Sequence, residues 1–245
     1  MSSGAQAHPV RSVRSAKGRR QTIIGLVISL AVAGALTIIM LTESPLLSGC
    51  DAALTSFTRD WADESGWPVE LSHEIANKMG VIWSSFVAGL FALFLLARRR
   101  WAAAAFLLSS AFIGGIIGFI AKDLLARQRP PGAERYEEDL DDSFPSGHTM
   151  VGIYLYLATG LLLLRMGQAN DRRWMTLLGW GFIIFGPTLG LTRLIVGAHW
   201  PTDVIGGWAF GSAVVLVCAL LFWDALDASW VTWRKRAAKA EGVQD

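Results

Sequence analysis

Six long apolar stretches, at about 22 to 42, 79 to 97, 101 to 122, 148 to 166, 174 to 195 and 203 to 223, are separated by segments rich in charge, proline and glycine. They lack the period-two alternation of a strand that faces water on one side. Each approaches the roughly 20 residues that a helix needs to cross about 30 Å of hydrocarbon. Inside a bilayer every backbone polar group must find its partner within the protein, and continuous apolar runs achieve this as helices. The pattern predicts an all-α, polytopic membrane protein: a bundle of six transmembrane helices over 22–223. A basic tail over 1–21 is expected to be disordered, and a second tail covers 224–245.

Composition supports this reading. Hydrophobic residues make up 53% of the chain and charged residues 17%, which leaves little soluble mass. Arg19 and Arg20 before the first run resemble the start of a secretory signal, but the run is long and no small-x-small site follows, so a retained span is expected. Cys50 and Cys218 form no disulfide or zinc pattern and read as two small apolar side chains. Gly114 with Gly118, and Gly207 with Gly211, have the GxxxG spacing that permits close helix approach.

Charge sets the expected orientation. Arg11, Arg14, Lys17, Arg19 and Arg20 precede span one, Arg98 to Arg100 follow span two, Arg165, Arg172 and Arg173 follow span four, and Arg234, Lys235, Arg236 and Lys239 follow span six. Positive residues are retained in the cytoplasm. One topology satisfies all four clusters, with both termini cytoplasmic in the cell (inner) membrane and the first, third and fifth connections outside. In the first of these, Leu54, Phe57 and Trp61 share one helical face, as in a short interfacial helix or a packed lid.

Against this background the polar residues at the outer ends of spans three to six are unusual. Lys122, Arg127 and Arg129 close span three, and Arg193 ends span five. Cations gathered at one end of a small bundle suit an anion with several oxygens, since arginine offers a planar fork of donors. Ser146 and Gly147 precede His148 at the first turn of span four, where free amides and the helix dipole favour a phosphate. His199 and Asp203 lie four apart in HWPTD, a spacing that lets a carboxylate fix the imidazole tautomer and leave the other nitrogen to attack. The set predicts two-step phosphoryl transfer with His199 as nucleophile, His148 as acid and base, and the cations stabilising the phosphoryl oxygens, with no metal and no cofactor.

Three segments, KDLLARQRP from Lys122 to Pro130, PSGH from Pro145 to His148, and TRLIVGAHWPTD from Thr192 to Asp203, resemble in order and spacing the signature of the type 2 phosphatidic acid phosphatase superfamily, the lipid phosphate phosphatases. The resemblance implies a six-helix fold and a histidine nucleophile at His199 assisted by Asp203. It also implies an acid-base histidine at His148 and phosphate contacts from Lys122, Arg129, Ser146, Gly147 and Arg193. Thr192 stands where the family has serine. Arg127 falls in the variable gap of the first motif and is expected at most behind the residues that touch phosphate.

A site at headgroup level implies a membrane lipid phosphate or diphosphate as substrate: phosphatidic acid, phosphatidylglycerophosphate, undecaprenyl diphosphate or a lipid A phosphate. The alternative is a phosphotransferase moving phosphate between lipids. The expected partners are that lipid and the bilayer, with no nucleic acid, and the sequence sets no oligomeric state. The acidic linker ERYEEDLDDS, 134–143, reads as a solvated loop or as a lid that screens anions.

Overall fold

A computed structural model describes residues 9–42, 44–135 and 142–226. Most of the acidic linker and most of the C-terminal tail lie outside the described residues. Helices account for nearly all regular structure: α1 (Pro9–Leu41), α2 (Pro45–Ser65), α3 (Trp67–Lys78), α4 (Val81–Ala97), α5 (Trp101–Leu125), α6 (Gly147–Val151), α7 (Ala158–Ala169), α8 (Arg173–Ile195) and α9 (Pro201–Leu221). A π-helical segment, Gly152–Leu157, joins α6 to α7, so 147–169 is one continuous span. Among the described residues five helices are long and apolar enough to cross a membrane, and α3 with α4 makes a sixth, bent by 45°.

Two expectations are revised. The basic stretch before residue 22 is helical from Pro9, because proline suits a first helical position and only Gly18 interrupts the better helix formers between Pro9 and residue 22. The second span does not start at 79 as one straight helix. The chain breaks at Met79 and Gly80, where a Cβ on Gly80 would lie 2.5 Å from the Ala76 carbonyl oxygen.

Span four is the centre of the bundle, the most buried of the candidate spans at 72%. Both GxxxG pairs serve it. A Cβ on Gly114 would strike the Tyr154 ring, and one on Gly118 would crowd the Met150 sulfur; Gly207 faces Thr149 and Gly211 faces Ile153. Gly152 and Gly186 bring span four and α8 into backbone contact, since a Cβ on either would fall 2.2 to 2.3 Å from the other's carbonyl oxygen. Helices in hydrocarbon gain nothing from hiding apolar surface, so this close approach is what holds them.

Helix α2 is amphipathic in the inverted sense. Asp51 and Thr55 are buried, while Leu54, Phe57 and Trp61 are exposed, the arrangement expected of a helix with a polar site beneath it and lipid around it. Trp61, Trp67, Trp101 and Trp174 are exposed near helix ends, where amphipathic rings suit the headgroup level, but Trp223 is buried with Arg165 over its ring. Cys50 and Cys218 are both free thiols.

Candidate active site

Three chain segments meet at one end of the bundle. Helix α5 stops at Ala126, which takes a left-handed conformation (φ 41°) and donates its amide to the Lys122 carbonyl, and Pro130 with Pro131 prevents renewed helix. The segment 126–131 is thereby turned across the bundle end. Span four starts at Ser146, whose hydroxyl accepts from the Thr149 amide at 3.5 Å. Between α8 and α9, Gly197 has φ 68°, and its carbonyl accepts from Arg59 on α2 at 2.8 Å. No side chain fits at Gly197, because a Cβ would fall 2.2 Å from the Arg59 Nε. Pro201 then opens α9, and the Asp203 carboxylate accepts the Trp200 amide at 2.9 Å.

This turn delivers His199 into a fully enclosed position, 1% exposed. Its Nδ1 faces Asp203 Oδ2 at 3.4 Å, a long contact, and its Nε2 faces Arg129 Nη1 at 3.1 Å. The carboxylate favours the tautomer with hydrogen on Nδ1 and leaves the lone pair on Nε2. Burial pushes the imidazole pKa down to about 4, against the pull of Asp203 and with Arg129 and Arg193 adding to the fall. The neutral form of His199 is thereby favoured at ordinary pH.

Asp203 is fully buried and fully engaged. Its Oδ2 accepts from Ser143 Oγ and from the Trp200 amide, while Oδ1 accepts from Arg127 Nη1 at 2.5 Å. Arg129 also donates to the Ala198 carbonyl at 3.1 Å, which places its guanidinium across the histidine loop. Arg193 is buried one turn before that loop. Lys122 Nζ donates to the Asp142 carbonyl, beside Ser143.

The PSGH turn joins this group through its backbone: the Ser146 amide donates to the Asp203 carbonyl at 3.1 Å. That amide is thus used within the protein, whereas Gly147 opens onto space, with no atom within 4 Å of a Cβ built there. His148 is half-buried, and its Nε2 would lie 3.1 Å from a Cβ on Gly80, so its ring stands against the break between α3 and α4. Thr192 turns its hydroxyl back to the Leu189 carbonyl at 2.8 Å, away from a direct contact role. Arg127 is held by two carboxylates and a hydroxyl, with Trp200 under its plane at 5.5 Å, in place of the phosphate side of the site.

Three residues tied into this cluster escape sequence reasoning. Ser143 sits directly before FPSGH, which is a faint signal, but Asp51 and Arg59 lie on an unremarkable outer helix and carry none. A groove of about 380 Å³ opens between α4, the π segment and α8, lined by Met79, Trp83, Phe91, Leu155, Tyr156 and Phe182 among others. Its upper end at Lys78 and Met79 adjoins Gly80 and hence His148.

Known proteins resemble this chain in sequence and in fold. The chain is 32% identical over 126 residues to an undecaprenyl-diphosphatase of Sulfolobus acidocaldarius, covering 49% of this chain and 56% of the relative. It is 34% identical over 128 residues to a lipid A 1-phosphatase of Rhizobium johnstonii, covering 48% of this chain and 47% of the relative. The chain thus spans about half the length of the curated relatives it matches. A crystal structure of a transmembrane PAP2 type phosphatidylglycerolphosphate phosphatase from Bacillus subtilis superposes with a TM-score of 0.64 at 18% identity, over 80% of this chain and 93% of the other, and so shares the fold. Residues 103–227 match the PAP2 superfamily, and this multi-pass membrane protein belongs to it.

Proposed function

We propose that the protein is a membrane lipid phosphatase that hydrolyses a phosphomonoester or diphosphate headgroup through a phosphohistidine at His199. The observation that carries the reading is the buried neutral imidazole held between Asp203 on Nδ1 and Arg129 on Nε2. In the first step Nε2 attacks phosphorus, the bond to the lipid oxygen breaks, and His148 delivers a proton to that oxygen. In the second step His148 takes a proton from water, whose oxygen displaces Nε2 and releases inorganic phosphate. Lys122, Arg129 and Arg193, with the amides at Gly147 and His148, stabilise the equatorial oxygens in both steps without a metal. Asp203 holds the imidazolium that forms.

The apolar groove beside His148 supports a lipid substrate, because a hydrocarbon chain seated there leaves its headgroup at the site. Similarity to proteins named for undecaprenyl diphosphate and lipid A supports the same class. The positive clusters support a topology with both termini in the cytoplasm and the site on the outer face of the cell membrane. The test is phosphate release by purified protein in EDTA from phosphatidic acid, phosphatidylglycerophosphate, undecaprenyl diphosphate and lipid A. Turnover of at least one, abolished by His199→Ala, is expected; turnover that requires added metal, or survives His199→Ala, rejects the mechanism.

A further inference from the structure

We propose that Asp51 on α2 is a positioning residue for the catalytic carboxylate, acting through Arg127 and Thr202, so that α2 completes the active site although it lies outside residues 103–227. The proposal rests on the reading of His199 as nucleophile and Asp203 as its partner.

Asp51 is 1% exposed, and a buried carboxylate needs partners to offset its lost hydration. Its Oδ1 accepts the Thr202 amide at 3.1 Å; its Oδ2 accepts Thr202 Oγ1 and Arg127 Nη2, both at 2.5 Å. The other guanidinium nitrogen of Arg127 donates to Asp203 Oδ1 at 2.5 Å and to Thr202 Oγ1 at 2.7 Å. One cation therefore bridges two buried carboxylates far apart in the chain, and the Thr202 hydroxyl closes the ring by donating to one and accepting from the other's partner. The Arg127 bond on Oδ1 acts with Ser143 and the Trp200 amide on Oδ2 to set the carboxylate plane, and Oδ2 is the oxygen that faces the imidazole. That choice matters because the contact to Nδ1 is long, so a small rotation of the carboxylate makes or breaks it.

The charges around His199 give the proposal a signature that mere packing does not share. Asp203 and Ser143 stand on its Nδ1 side, Arg129 on its Nε2 side, and Arg193 nearby; Asp51 and Arg127 lie behind Asp203. Asp51→Asn removes a negative charge and leaves Arg127 undercompensated, which disfavours the imidazolium. Arg127→Gln removes a positive charge and leaves Asp203 more effective, which favours it. The two variants should displace the His199 titration in opposite directions, and Asp51→Asn with Arg127→Gln together should bring it back.

The experiment uses the full chain in detergent, with dioctanoyl phosphatidic acid as substrate and ¹⁵N-histidine NMR as a readout independent of turnover. The His199 signal is identified by its loss in His199→Ala. Expected for Asp51→Asn are a kcat lowered roughly 10- to 100-fold with KM within about threefold, and a His199 titration moved down by about half a pH unit or more. Arg127→Gln should move it up by a similar amount. Should Asp51→Asn alone not fold, the double variant, in which Asp203 keeps the Ser143 hydroxyl and the Trp200 amide, is compared with Arg127→Gln, and a smaller downward shift is expected because the path through Arg127 is gone. A titration that stays put in both comparisons, or a folded Asp51→Asn protein with kcat within about twofold of wild type, overturns the proposal. Turnover surviving in His199→Ala removes the nucleophile assignment and this proposal with it. An inactive His199→Ala beside a fully active Asp51→Asn removes this proposal alone.

Discussion

The seam where span four meets α5, α8 and α9 is made of glycine, and the rim where the same helices end is made of charge. In the seam, Gly114, Gly152, Gly186, Gly207 and Gly211 let backbone and side chains approach without space for one more carbon. At the rim, Asp51, Thr202, Asp203 and His199 are buried too, and Arg127 is partly buried, but each is held by hydrogen bonds to named partners. The difference follows from the surroundings. Hydrocarbon offers no hydrophobic gain to apolar helices, so their association depends on close contact. A buried charge carries a desolvation cost that only a geometrically correct partner offsets. Seam residues should therefore govern whether the protein folds, and rim residues whether it turns over.

The sharpest way to break this division is His199→Ala. It should lower turnover by roughly 10⁵-fold or more, as loss of a nucleophile does, with an unchanged melting temperature in detergent; substantial unfolding would show that the rim also carries the fold. Gly152→Ala is the converse. Its Cβ would meet the Gly186 carbonyl at 2.3 Å, a backbone atom with no room to yield. A loss of about 3 kcal/mol is expected, seen as a lower melting temperature, with turnover per folded molecule unaltered.

Acidity sharpens the comparison further. His199 is buried neutral with its pKa near 4, so its nucleophilic form persists above that value and is lost as pH falls through it. The rate from His199 should decline about tenfold per unit below pH 4, and an acid limb centred near 6.5 would contradict the burial seen here. The smallest effect is expected at Thr192. Its hydroxyl bonds its own helix, and Thr192→Ser keeps that bond. Turnover and stability should each stay within about twofold and ~0.5 kcal/mol of wild type; a larger change would mean that the threonine methyl shapes the phosphate seat.

Much of this was readable from residue order. Apolar run lengths located five of the spans and the apolar part of the second, and the GxxxG pairs pointed to close approaches that span four occupies. The motif residues His199, Asp203, Arg129 and Ser146 meet as their spacing implied. Arg127 was legible only as a cation near the site; that it clasps Asp51 depends on where α2 lies, and nothing in DAALTSFTRDW distinguishes a docked polar face from a solvated one. The bend at Met79 and Gly80 was equally hidden, because the apolar run starts at that point and nothing in the polar segment before it says that it continues as helix.

Hydropathy and local spacing are properties of neighbouring residues, so the sequence by itself determined the apolar spans, the charged residues at their ends and the family. Which oxygen of Asp203 faces the imidazole, which amide of the PSGH turn is already engaged, and the recruitment of Asp51 from an outer helix were decided only in three dimensions. Each depends on partners distant in the chain, and a buried polar atom acquires its role from whatever the fold brings within hydrogen-bond reach.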